Sequence, residues 1–219
     1  MNKLLTIIIL IFLPVFFLLK SVEINTFNKG FYLESFQKYD VIETTDMDLQ
    51  DLSNITDNLF SYLKDESDET ILKSNFNERE ILHMKDVKKL FKYGFILKNT
   101  LFILSLFAII ILIANKDSKS MGKRIFYGTF VWWGLITLIF VLITINFNKC
   151  FTYFHLIFFD NDLWVLNPNT DLLIQMLPQK FFIDIFQNIV LLFLGLLVIL
   201  QVIGYIFMKK GKDNKWKSY

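Results

Sequence analysis

The sequence predicts a mainly α integral membrane protein, with four transmembrane helices and an outer-face domain of helices and a few short strands. Three observations carry that reading. Of 219 residues, 54% are hydrophobic and 25 are phenylalanine, above the apolar share of about 45–50% usual in soluble chains. The excess is gathered into four runs, Leu4–Leu19, Phe95–Ala114, Ile125–Ile145 and Phe186–Met208, and a helix needs roughly 20 apolar residues to cross a bilayer. The charges between the runs are segregated by sign.

The first run gives a span over 1–20. It is shorter than the others, but Asn2 and Lys3 can reach the headgroup layer. Lys20-Ser21-Val22-Glu23 follows it, with no small-residue cleavage pattern, so it reads as an anchor rather than a removable leader. Pro14 inside the run is tolerable where neighbouring helices satisfy the freed backbone.

Residues 21–93 form the first outer segment. Phe27–Val41 mixes aromatic and polar residues around Gly30 and reads as one or two strands. Asp48 is placed to cap a helix running to about Leu63, with Leu49, Leu52, Ile55, Leu59 and Phe60 on one face. Lys64–Thr70 reads as a solvated acidic turn. Asn77, with Glu80 three residues on, is a capping-box start. The helix it opens continues into the second span, 94–115, and brings Arg79, His83, Asp86 and Leu90 onto one face.

A basic loop, 116–124, leads to the third span, 125–146. The second outer segment, 147–185, is densely aromatic from Phe147 to Trp164 and is expected to lie at the headgroup layer. Asn167-Pro168-Asn169-Thr170-Asp171 is a turn and helix start. Pro178 marks a break before the fourth span, 186–208, and a basic tail, 209–219, closes the chain. Lys3, the loop and the tail together hold ten basic and two acidic groups, whereas Lys20–Lys92 and Phe147–Ile185 hold 12 basic and 19 acidic. The positive-inside rule then puts both termini in the cytoplasm, in a plasma membrane. The net charge of +2 gives no support to nucleic-acid binding.

The chain has two histidines, His83 and His155, and both fall on the outer side. Histidine moves protons near neutral pH, though an ordinary interfacial or packing histidine is the commoner case. The sequence holds no Gly-rich phosphate loop, no H-E-x-x-H and no CxxC pair. Two separated histidines are a poor metal site, since a catalytic zinc usually takes three protein ligands, so no metal and no cofactor are expected. Cys150 is the one cysteine. No disulfide can form within the chain, and a lone cysteine at an apolar border is usually a packing residue.

Two stretches carry a resemblance. Glu78-Arg79-Glu80-Ile81-Leu82-His83-Met84-Lys85-Asp86-Val87 fits an E-R-E-x-x-H-M-x-D-V signature. Phe154-His155, Trp164-Val165-Leu166-Asn167-Pro168, Asp171-Leu172-Leu173-Ile174, Pro178 and Phe181-Phe182 fit a second, with Asn167 standing where that pattern has an aspartate. Together they resemble the lipoprotein intramolecular transacylase family of Gram-positive bacteria, four-helix membrane proteins of about this length. The resemblance implies transfer of the sn-2 acyl chain of a diacylglyceryl-cysteine lipoprotein to the cysteine α-amine, giving an N-acyl lyso-form. It implies His83 and His155 as the catalytic pair. Glu78, Arg79, Glu80, Asp86, Tyr153 and Trp164 are supporting candidates. The partners expected are diacylated lipoproteins and membrane lipids. A membrane lipid hydrolase, or a non-enzymatic envelope receptor or scaffold, remain the alternatives from the residues alone.

Overall fold

Long apolar runs make long helices, because a backbone in hydrocarbon must satisfy its own hydrogen bonds. The structure, a computed structural model, describes residues 2–115 and 118–210. Among these it is helical, with no strand. The helices are α1 (Asn2–Thr26), α2 (Lys29–Lys38), α3 (Val41–Thr45), α4 (Leu49–Leu63), α5 (Glu78–Ala114), α6 (Ser118–Ile145), α7 (Phe147–Phe158), α8 (Leu172–Met176) and α9 (Gln179–Lys210), with a 3₁₀ turn at Glu69–Leu72. Four of them, α1, α5, α6 and α9, are long and apolar enough to cross a membrane. Lys116, Asp117 and residues 211–219, which belong to the basic loop and tail of the sequence reading, lie outside the described residues.

The strands expected over Phe27–Val41 are helices instead. Asn28 accepts from the Phe31 N–H and starts α2, which buries Tyr32, Ser35 and Phe36 at helical spacing. Aromatic content had suggested strand, but aromatic preference for strands reflects packing on a half-buried surface, and the 3.6-residue period prevails. The Asp48 helix is as expected: its carboxylate accepts from Asp51 N–H, and Leu52, Ile55, Leu59 and Phe60 are buried. The acidic turn is more than solvated. Asp65 pairs with Lys88 at 2.8 Å, and Asp68 caps the 3₁₀ turn through Thr70.

The chain divides into two compact units. The first comprises residues 1–22, 96–144 and 189–219. Its core is Ile9, Ala108, Leu112, Met121, Ile125 and Leu200. Pro14 has no N–H for the Leu10 carbonyl, four residues back. The Trp132 indole N–H supplies it, at 2.7 Å. Gly128, one turn before Trp132, lets the helices approach: a Cβ there would meet the Leu10 side chain at 2.7 Å. Further along, a Cβ on Gly122 would lie 2.5 Å from Met208 N and 2.7 Å from the Gly204 carbonyl, so α6 and α9 touch backbone to backbone, as small residues permit. The Arg124 guanidinium donates to the Asn2 carbonyl and the Thr6 hydroxyl.

The second unit comprises residues 23–95 and 145–188. At 1.5 Å per residue the 37 residues of α5 extend roughly 55 Å, well beyond a hydrocarbon core of about 30 Å. Its polar first half, before the apolar run begins at Phe95, therefore belongs outside the spanning segment. Aromatic contacts consolidate this unit: Tyr32 packs on Phe60 and Phe181, and Phe27 on Phe60 and Phe91.

Replacing Gly122 by Leu should force the α6–α9 contact open and cost about 1–3 kcal/mol or more, the scale of overpacking. Thermal unfolding in detergent would register a lower Tm, and an unchanged Tm would refute the backbone contact.

Candidate active site

The capping box expected at the head of α5 is present. Asn77 Oδ1 accepts from Glu80 N–H at 3.0 Å, and Glu80 Oε2 accepts from Asn77 N–H at 2.8 Å. Glu80 goes further. Its Oε1 accepts from Leu173 N–H at 2.6 Å, in the first turn of α8. The side chain is buried, with 1% exposure, and burial pushes its carboxyl up against the opposing pull of the Leu173 and Asn77 amides. Glu80 is therefore occupied in joining two helix starts and is not placed to orient His83. Beside it, Asp171 accepts from Asn167 N–H at 2.7 Å, from the Thr170 hydroxyl and from the Asn77 amide. Those bonds hold its carboxyl below the usual range, the Asn167 amide foremost. Asn167 accepts from Asn169 N–H, a turn-forming role that an amide fills as an aspartate would.

This junction fixes α5, the 159–171 loop and α8 around the histidines. One turn on from Arg79 and Glu80 stands His83, with 8% exposure; His155, on α7, has 7%. Their ring centroids are 6.2 Å apart, close enough for one substrate group to touch both. The His155 Nδ1 lies 2.8 Å from the Phe151 carbonyl. A carbonyl only accepts, so Nδ1 carries the proton and Nε2 keeps its lone pair. The His83 Nδ1 is buried with no protein partner, as is Arg79 Nε.

Aromatic rings enclose His155. Trp164 stacks on it at 4.7 Å and 27°, and Phe151 lies at 4.3 Å. Phe159 touches both histidines, at 5.4 Å from His83 and 5.6 Å from His155. Burial pulls both imidazoles below their ordinary value. For His83, burial and then the neighbouring His155 charge outweigh Asp86 and bring it down to about 4. For His155, burial outweighs the Phe151 carbonyl. Both rings are thus neutral at pH 7.

The supporting candidates divide. Arg79 donates to the Asp162 carbonyl and lies 3.5 Å from its carboxylate. Asp86 accepts from Asn161 at 2.8 Å and Lys89 at 3.0 Å. The two therefore hold the Asn161–Asp162 loop on either side of His83, which itself hydrogen-bonds neither. The Trp164 indole N–H is taken by the Asn161 carbonyl, so this residue offers its ring face, not a donor. Tyr153 is 62% exposed; two residues before His155, it points to the opposite side of α7. Glu78 is exposed in the first turn of α5, where it complements the helix dipole. Cys150, five residues before His155, is about 140° round α7 from it. No group of three or more metal-ligating side chains occurs among the described residues. Phe151 and Phe159 were missed from the sequence, although they stand one turn to either side of His155.

The profile of the lipoprotein intramolecular transacylase Lit family matches residues 7–182. The chain belongs to the Lit family. It also resembles in fold the crystal structure of the membrane integral lipoprotein intramolecular transacylase Lit from Bacillus cereus, with a TM-score of 0.86 and 22% identity over 97% of this chain and 98% of that one. A histidine-to-arginine variant of the B. cereus protein matches with a TM-score of 0.82. An uncharacterized protein of Aquifex aeolicus (strain VF5) is 30% identical over 141 residues, 63% of this chain and 61% of its own length. Membership of this multi-pass membrane family agrees with the four apolar helices.

Two outcomes follow for this Lit-family chain. Glu80→Gln leaves one backbone N–H facing an amide donor, which should cost about 1–3 kcal/mol and speed hydrogen exchange at Leu173. Unchanged exchange there would refute the double cap. A second concerns acid. The folded state keeps His83 neutral down to about 4, whereas the unfolded chain protonates near 6.5. Stability should fall as pH drops through 6.5 and level off below about 4. A His83→Phe variant should show a smaller fall in Tm over that window.

Proposed function

We propose that this chain transfers the sn-2 acyl group of a diacylglyceryl-cysteine lipoprotein to the α-amine of the same cysteine. The observation that carries the reading is the neutral, buried histidine pair, one ring with its tautomer fixed and the other with an unpartnered nitrogen. The family assignment supplies the acyl-transfer class.

The attacking amine has an ordinary pKa near 7.7–8.0 and must be unprotonated to attack. His155 Nε2 is the general base: it takes the N–H proton as the nitrogen bonds to the ester carbonyl carbon. Carbonyl electrons move onto oxygen, and His83 in its Nδ1–H form donates to that oxyanion. A neutral imidazole of low basicity is suited to this, since it donates without giving up its proton. The intermediate then collapses. The C–O bond to glycerol breaks, the leaving oxygen takes the proton from His155, and an amide and a free sn-2 hydroxyl result. Nucleophile and ester belong to one molecule, so much of the proximity advantage comes from the substrate. Trp164 and Phe151 hold the His155 ring and stabilise its transient cation through their faces. Arg79 and Asp86 hold the Asn161–Asp162 loop that carries Trp164. In this reading both termini are cytoplasmic, the plasma membrane houses the chain and the reaction occurs at its outer face, as the charge distribution supports.

His83→Ala and His155→Ala should each reduce N-acyl lyso-lipoprotein by at least about 10²-fold, measured by mass spectrometry of lipoprotein N-termini. Free fatty acid as the sole acyl product would replace this reading with ester hydrolysis. Trp164→Ala should lower kcat roughly two- to tenfold, the scale of an aromatic stack, while Trp164→Phe restores most of it. Because both imidazoles titrate below 6.5, the acid limb of kcat/KM should follow the substrate amine near 7.7–8.0. A limb near 6.5 would instead assign it to histidine.

A further inference from the structure

A polar cavity of about 310 Å³ opens in the second unit, with neither histidine in its lining. Phe31, Glu34, Ser35 and Lys38 line one side, at the i, i+3, i+4, i+7 positions of one α2 face. Asp184, Gln187 and Asn188 line the other, at i, i+3, i+4 of α9. Gln187, exposed, and Asn188, half-buried, stand at the head of the fourth apolar run.

The charges are arranged in two zones. Lys38 and the Tyr39 hydroxyl both donate to Asp184 Oδ2, which leaves Oδ1 as an acceptor. Glu34 adds a second carboxylate, and among the described residues no side chain bonds to it or to the Gln187 and Asn188 amides. Lys38, in the lining, shares the Tyr39 ring with a second cation outside it: Lys38 and Lys180 lie 5.0 and 5.9 Å from the ring centroid. The lining thus offers hydrogen-bond acceptors with net negative charge, and beside them a cationic edge.

We propose that this cavity binds the headgroup of an ethanolamine-type phospholipid, with the ammonium between Glu34 and Asp184 Oδ1 and the phosphate at Lys38 and Lys180. A primary ammonium brings three donors to these acceptors. A trimethylammonium group brings none and is held elsewhere by aromatic cages, which this lining does not form. The position beside the start of a membrane-spanning run matches headgroup depth. The binding is independent of acyl transfer, so the two readings stand or fall separately.

The test uses the full chain, delipidated in detergent and offered phosphatidylethanolamine or phosphatidylcholine of identical acyl chains, with retention read by native mass spectrometry. Wild type should prefer the ethanolamine lipid roughly tenfold, the worth of one hydrogen bond to a charged group. Glu34→Gln, an exposed and near-isosteric change, should bring the preference close to parity with Tm unchanged. Soluble phosphoethanolamine should displace the lipid from wild type, whereas inorganic phosphate should not. Equal retention of the two lipids, an undiminished preference in Glu34→Gln, or displacement by phosphate alone would each overturn the assignment.

Discussion

Glu80 brings its two carboxylate oxygens to backbone N–H groups at the starts of two helices, one three residues before it and the other 93 residues after it in sequence. Each of those amides opens a helix and has no intrahelical acceptor. A single buried anion therefore completes the start of α5 and the start of α8 together. Its neighbours extend the junction, since Asn77 also binds Asp171, which in turn closes the 167–171 turn. His83 follows Glu80 by three residues on one rigid helix, and Trp164 lies in the loop that this junction anchors. Capping thus places His83 beside the Trp164 loop, and His155 joins them from α7 through its stack on Trp164, with no bond between the rings.

Burial at that meeting point has a directional effect. An imidazole surrounded by Phe151, Phe154, Phe159 and Trp164 loses hydration that favours its charged form. The same rings present negative faces that soften the cost when a proton arrives. His155 is then a base that is empty at rest and tolerates brief occupation, while the Phe151 carbonyl decides which nitrogen is empty. The arrangement suits a proton carried for the lifetime of one intermediate better than one held at equilibrium.

Much of this was legible in the sequence, for local reasons. The four spans follow from apolar length, the α4 face from its period, and the α5 cap from Asn77 and Glu80 three residues apart. The histidines could be paired through the motifs around them. The second partner of Glu80 was not legible, because no local pattern announces a hydrogen bond to Leu173. Helical phase turns Tyr153 away from His155, which its residue type does not reveal. The loop geometry gives the Trp164 indole N–H to the Asn161 carbonyl, which no local pattern announces. The α2 strand reading failed because aromatic content outweighed the Tyr32, Ser35, Phe36 spacing. In each of these the residue type was informative, and the direction of the side chain was what remained to be found.

The bond from Trp132 to the Leu10 carbonyl makes two distant positions conditional on one another. With proline at 14, the carbonyl at 10 has lost its helical donor, and the indole becomes a structural necessity inside an apolar bundle. With an ordinary residue at 14 the helix would reclaim that carbonyl, and the indole would become the group in search of a partner. Neither residue is therefore conservative to exchange alone. The pair sets an order in which this bundle could be redesigned, with proline removed before tryptophan, and it hides that order from any reading of either helix in isolation.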